Sequence, residues 1–223
     1  MAPRSRALLS TLPAGRQGYR AGLFPKTTLV FLLTNPFLNM NNNTHEIIIF
    51  ANGCFWCTEA VFESLKGVLS VMPGYTGGST GSLQAAPTYE QVCTGSTGHA
   101  EAIKIEYDPS KIKFSDLLTV FFATHDPTTL NRQGADVGTQ YRSGIFYSND
   151  EQKQESLAFI KKLNEEGPRV VTEVTPLADF YPAEEYHRKY YQNNSDAPYC
   201  QVMISPKLKK LNERFSQLLK ESE

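Results

Sequence analysis

The residues best placed to do chemistry in this chain sit in Gly53-Cys54-Phe55-Trp56-Cys57-Thr58-Glu59. Just before them, Ile47, Ile48, Ile49 and Phe50 form the short apolar run expected of a strand buried on both faces. After them, Phe55, Phe62 and Leu65 recur among polar residues as far as Gly67, a helical pattern with a stop signal. Cys54 and Cys57 therefore fall where a strand hands over to a helix. A helix start presents unpaired N–H groups and a partial positive charge, which favours a thiolate placed there. Residues three apart on a first turn share a side, so the two sulfurs lie within disulfide reach. Gly53 permits a sharp turn immediately ahead of them. Phe55 and Trp56, the latter the only tryptophan, put two large aromatics into a turn that is otherwise polar.

Several chemistries fit a close cysteine pair: half of a zinc site, a structural bridge, a thioredoxin-like dithiol, or a nucleophile with its resolving partner. Zinc asks for four ligands with a second close pair, whereas Cys93 and Cys200 stand alone. A thioredoxin-like site leaves the Phe-Trp insert unexplained. A redox sensor or a binding protein for oxidised peptides would use the same pocket with slow turnover. Glu101 bears on the choice. From His99 to Tyr107 the chain alternates, with Glu101, Ile103, Ile105 and Tyr107 on one face and Ala102, Lys104 and Glu106 on the other. Burial among isoleucines disfavours the charged form of a carboxyl, and a neutral carboxylic acid can donate a proton. The plainer alternative for Glu101 is an ion pair with a lysine or arginine.

Strand and helix patterns alternate around these groups. Strands are expected at 46–51, 68–72, 99–107, 145–147 and 170–174. Helices are expected at 54–66, on the Phe114, Leu117, Leu118, Phe121 and Phe122 face, and after a capping box at Ser148-Asn149-Asp150-Glu151. Two more are expected, one from Pro182 through Tyr191 and one carrying Leu208, Leu211, Phe215 and Leu218. Residues 73–88 and 126–142 read as long polar loops, a length often associated with function. Tyr89 reads as lying on a strand, with Cys93 as a structural residue after it. The alternation predicts one α/β or α+β domain.

At this point the chain closely resembles the A-type peptide methionine sulfoxide reductases. Besides Gly-Cys-Phe-Trp at 53–56, the resemblance rests on Gly-Tyr-Thr-Gly-Gly at 74–78, Pro-Thr-Tyr-Glu-Gln-Val-Cys at 87–93 and Gly-His-Ala-Glu-Ala at 98–102. It continues through His-Asp-Pro-Thr at 125–128, Gly-Thr-Gln-Tyr-Arg-Ser at 138–143 and Phe-Tyr-Pro-Ala-Glu-Glu-Tyr-His at 180–187. It implies a single-domain two-layer sandwich with a mixed sheet and a ferredoxin-like core. It also implies reduction of methionine-S-sulfoxide, free or in proteins, with Cys54 as nucleophile and Glu101 as acid. Tyr89 and Tyr141 match phenols that bond the sulfoxide oxygen, Asp136 a loop carboxylate that orients the site, and Phe55 and Trp56 a slot for the methyl on sulfur. Cys57 is the nearer resolving cysteine, while Cys200 sits where a C-terminal resolver would. Thioredoxin or another dithiol is the implied external reductant, with no metal or organic cofactor. His99, His187, Tyr181 and Glu184 stay outside the catalytic set.

Composition narrows the setting. Of 223 residues 40% are hydrophobic and 20% charged, with a net charge of −1, as in an ordinary globular domain. That balance gives no reason to expect a nucleic acid or a membrane as partner, and a monomer is expected. Residues 1–39 carry Arg4, Arg6, Arg16, Arg20 and Lys26 and no acid. They read as a disordered or artefactual extension, with Met40 as an alternative start and 40–223 as the catalytic domain. On that reading the protein is cytoplasmic; if 1–39 are a targeting segment, it is organellar or exported.

Overall fold

The computed structural model describes residues 45–79 and 86–221. The expectations for residues 1–39 and Met40, and part of the 73–88 loop, lie outside the described residues.

In chain order the elements are β1 (Glu46–Asn52), α1 (Phe55–Glu63), β2 (Val68–Thr76), α2 (Tyr89–Cys93), β3 (Ala100–Tyr107) and α3 (Phe114–Thr124). They continue with β4 (Arg132–Gln133), β5 (Asp136–Val137), β6 (Ser143–Tyr147), α4 (Asp150–Glu166), β7 (Glu173–Pro176), β8 (Phe180–Pro182), α5 (Tyr190–Asn193) and α6 (Ser205–Phe215). The main sheet runs β7-β6-β1-β3-β2-β8. Every neighbouring pair in it is antiparallel except β6 and β7, which are parallel, so the sheet is mixed. Its inner four strands, β6-β1-β3-β2, with α1 between β1 and β2 and α3 between β3 and β6, have the ferredoxin-like order expected.

Helices cover one face. Ile48 and Phe50 of β1, Ile103 and Ile105 of β3 and Ile145 of β6 bury there against Val61 and Phe62 of α1 and Leu117, Leu118 and Phe121 of α3. The other face is thinner, with Ile49, Ala51, Ala100, Ala102 and Phe146 packed together under Phe180. β1 is thus buried on both faces, as its unbroken apolar run requires. β3 alternates as read from the sequence, and it places Glu101 on the helix-covered face in line with Ile103 and Ile105.

Several local expectations need correction, among them the strand expected at 170–174, which is β7 at Glu173–Pro176. β2 extends through Pro73 and Gly74 to Thr76 instead of ending at Met72. Pro73 is tolerated because its carbonyl accepts from Ala183 N at 2.9 Å, so its missing N–H faces the same side, beyond the three paired residues of β8. Pro182 closes β8 opposite Gly74 and starts no helix; only a 3-10 turn (Glu185–His187) and the short α5 follow. Tyr89 opens helix α2, where Thr88 and Gln91 form a reciprocal capping box, and Cys93 at its end is exposed. The cap of α4 is Asn149, whose side chain accepts from Gln152 N at 2.8 Å, one residue later than the Ser148 box predicted. The 126–142 loop carries the β4–β5 hairpin and a 3-10 turn, Thr139–Tyr141.

Candidate active site

Two residues separate the end of β1 from α1. Gly53 has φ +91°, a backbone state that favours glycine, and a Cβ there would meet Gln133 Cγ at 2.7 Å. Cys54 is the N-cap of α1, and Thr58 pins the junction by donating from Oγ1 to Asn52 Oδ1 at 2.6 Å and to Cys54 O at 3.1 Å. The Phe55 amide, one of the unpaired donors of the helix start, donates across the site to Glu101 Oε2 at 3.1 Å.

Cys54, Phe55, Trp56, Tyr89, Glu101, Asp136 and Tyr141 all line one cavity of about 120 Å³, which is completed by Tyr199. β1–α1, α2, β3, the β4–β5 hairpin and the 3-10 turn after it each contribute. Every residue assigned to catalysis or substrate contact from the sequence is therefore in this cavity. Tyr199 was not in that set. Its only signal was its position beside Cys200, and it reaches the site through a distant part of the chain.

Glu101 is 2% exposed. Burial first, then the nearby Cys54, push its carboxyl well above the ordinary range, while the Phe55 amide pulls it down. Among the described residues no cation pairs with it, which disfavours the ion-pair alternative. Burial also raises the phenols of Tyr89 and Tyr141, with Cys93 adding to the first and Glu101 to the second, so both remain O–H donors at neutral pH. Asp136 is raised by burial and lowered by Lys207.

All four cysteines are free thiols. Cys54 is half-buried and Cys57 is 3% exposed. The neighbouring Cys57 and burial push Cys54 up; on Cys57 the influence of Cys54, helped by Lys207 and Tyr199, outweighs burial and brings it down to about 7. Such a pair gives up its first proton as a unit near neutrality. Of the two, only Cys54 opens on the cavity. Cys200 is completely buried and packs in one cluster with Cys57 and Ile204, against which Cys54 and Trp56 also rest. It lies in a π-helical turn, Cys200–Ile204.

The aromatic wall is fixed from behind. Trp56 stacks on Tyr190 with centroids 3.6 Å apart and 6° between planes, and Tyr199 meets it edge-on at 5.6 Å. The Trp56 indole N–H donates to His187 Nδ1 at 3.0 Å. Burial holds His187 below its ordinary pKa, which keeps that nitrogen an acceptor. Glu184 accepts from Tyr75 Oη at 2.7 Å and from the Tyr89 amide at 2.9 Å, and so anchors the start of α2. His187 and Glu184 thus support the site from behind, and His99 packs edge-on against Tyr181 away from the cavity.

Residues 46–219 match the family model described as peptide methionine sulfoxide reductase. A protein of Acinetobacter baumannii (strain AYE) named peptide methionine sulfoxide reductase MsrA is 53% identical over 172 residues, 77% of this chain and 97% of that protein. One of the same name from Thermus thermophilus is 49% identical over 176 residues, 78% of this chain and 98% of that protein. Among solved structures, reduced Mxr1 from Saccharomyces cerevisiae superposes with a TM-score of 0.65 at 34% identity, covering 70% of this chain and 90% of that one. Methionine sulfoxide reductase A of Corynebacterium diphtheriae gives 0.61 at 34% identity, covering 69% and 76%.

Proposed function

Because the chain belongs to the peptide methionine sulfoxide reductase family, we propose that this cavity is where it reduces methionine-S-sulfoxide to methionine, with Cys54 as the attacking sulfur. The observation that carries the assignment is a half-buried thiol at a helix N-cap that lines one cavity with a buried carboxyl, unpaired with any cation among the described residues, whose pKa burial raises.

The substrate's methyl enters the slot between Phe55 and Trp56, and its oxygen meets Glu101, Tyr89 and Tyr141. Sulfoxide sulfur becomes electrophilic as Glu101 gives a proton to the oxygen and the two phenols bond it. Cys54 Sγ attacks that sulfur as a thiolate, its proton having passed to the thiolate of the neighbouring Cys57. The oxygen then moves from the substrate sulfur to Cys54 Sγ as the new bond between the two sulfurs breaks, so methionine leaves and Cys54 is a sulfenic acid. Cys57 then attacks Cys54 Sγ, forming a disulfide and releasing water. The net change is one sulfoxide and two thiols to one thioether, one disulfide and one water.

Cys57 is favoured as resolver because it already contacts Cys54. Cys200, sealed against Cys57, is suited to a second relay that would pass the disulfide inward. Regeneration falls to an external dithiol of the thioredoxin kind by thiol–disulfide exchange. One chain supplies every group of the cavity, which supports action as a monomer. No organic cofactor or metal takes part in this scheme. No described helix is long and apolar enough to cross a membrane. Dependence on reduced thiols suits the cytoplasm.

The test is one exposure to excess methionine-S-sulfoxide without reductant, followed by peptide mapping of disulfides. The expected result is one methionine released per chain and a Cys54–Cys57 bridge. A Cys54–Cys200 bridge moves the resolving role, and no release of methionine overturns the assignment.

A further inference from the structure

A second cavity, of about 270 Å³, lies beside the first. Its wall includes Lys207, Lys210 and Arg214, which at i, i+3 and i+7 occupy one face of α6. Among the described residues none of the three has an ion-pair or hydrogen-bond partner; Arg214 only rests over the Phe215 ring at 5.3 Å. The one carboxylate in the wall, Asp126, is already engaged by the Thr128 amide at 2.9 Å and the Thr128 hydroxyl at 2.6 Å. His125, also in the wall, is kept neutral by burial, with its pKa lowered to about 4. Three cations and one carboxylate, Asp126, therefore face a cavity large enough for a further carboxylate side chain, and its wall keeps a net positive charge.

The β4–β5 hairpin borders both this cavity and the active site. Gln133 lines the basic cavity and is the cross-strand partner of Asp136, which lines the catalytic one. Gln133 also packs against Gly53, immediately before Cys54. Lys207 is close enough to act on both Cys57 and Asp136. The distance across such a pair is about 5 Å between Cα atoms. An extended peptide advances about 3.3 Å per residue, so two or three residues span more than the step between Gln133 in one wall and Asp136 in the other.

We propose that this cavity is a substrate subsite for an acidic side chain, aspartate or glutamate, two or three residues from the oxidised methionine. The inference rests on the catalytic reading above. It makes the protein selective among oxidised polypeptides while leaving free methionine sulfoxide unaffected.

The experiment compares kcat/KM, with dithiothreitol as reductant, for free methionine-S-sulfoxide and for peptides carrying glutamate, glutamine or lysine at each position from −3 to +3. Glutamate at one of the distal positions is expected to exceed glutamine about five- to tenfold at low salt and to lose most of that lead in 0.5 M salt, on the order expected for partly exposed charge pairs. Lys210→Glu with Arg214→Glu should invert the preference toward lysine and leave turnover of free methionine sulfoxide unchanged. If the reversal harms that turnover too, Lys210→Gln with Arg214→Gln decides by whether the lead disappears. An equal glutamate-to-glutamine ratio in wild type, or a ratio that survives both variants, overturns the subsite. So does an effect of the variants confined to assays with thioredoxin, which would assign the cations to the reductant. Absence of turnover with free methionine sulfoxide in wild type would refute the catalytic reading instead.

Discussion

In the mechanism proposed for this cavity, the sulfur of Cys54 acts as an anion while Glu101, across from it, still holds its proton. The thiol pair loses its first proton near 7, the value to which Cys57 is lowered, so the attacking form accumulates as pH rises through that region. Burial raises Glu101, so its acid form is complete at low pH and is lost as pH rises through its elevated pKa. The expected kcat/KM profile is a bell, rising through about 7 and falling on the alkaline side. Glu101→Gln should abolish the alkaline limb and slow the single-turnover release of methionine about a hundredfold or more. An unchanged alkaline limb would remove Glu101 as the acid. Cys54→Ser should lower methionine release at least about a thousandfold, because a serine hydroxyl is not ionised at neutral pH. Much of this was legible in the residues. The alternation of β3 alone put Glu101 on the buried face, and the strand-to-helix handover put Cys54 at an N-cap. Tyr199 was not legible, because its place depends on how the turn Cys200–Ile204 packs on Cys57 and Trp56, which no local pattern encodes.

Among the elements, the least legible were those set by long-range pairing. Three residues of β8 have no periodicity to detect, and Pro73 and Gly74 carry loop signals although they belong to β2. What holds them is contact: a Cβ on Gly74 would run into Phe180 Cζ and Tyr181 O. Gly74→Ala should cost about 1–3 kcal/mol, because the backbone oxygen cannot yield without separating β8 from β2. A denaturant midpoint left unchanged would refute this close approach. Glu59 on α1 gives an element-scale dependence on pH. Its buried carboxyl accepts from the Lys189 amide at 2.9 Å, at a left-handed residue (φ 50°) just before Tyr190, and burial raises it to about 7. A folded pKa above the ordinary value of 4.5 means the stability it confers is complete below about 4.5 and is lost as pH rises to about 7. Glu59→Gln should flatten that decline by roughly 2–3 kcal/mol, read as the difference between the two stability–pH curves.

At the scale of the whole molecule, the C-terminal segment ties the helical layer to the sheet. Leu211 of α6 is 2% exposed in the main core. Beyond α6 the chain returns to the end of α1, with Lys66 N donating to Leu218 O at 2.8 Å and Lys220 N to Ser64 O at 2.9 Å. The apolar spacing of Leu208, Leu211, Phe215 and Leu218 foretold the helix but could not tell where it docks. Leu211→Ala should destabilise the fold by about 2–4 kcal/mol with an unchanged denaturant slope; a smaller loss would mean that α6 is a peripheral addition. The position of Glu101 has a consequence of another kind. It occupies a core site on a central strand, where an apolar residue or a neutral amide would suit the fold better above the ordinary carboxyl pKa. With Glu101 as the proposed acid, catalysis would hold a residue there at a cost to robustness. A descendant released from its repair duty would be expected to lose this carboxyl early and keep its architecture, so substitution at 101 in an otherwise intact sequence would mark a change of occupation and leave the fold intact.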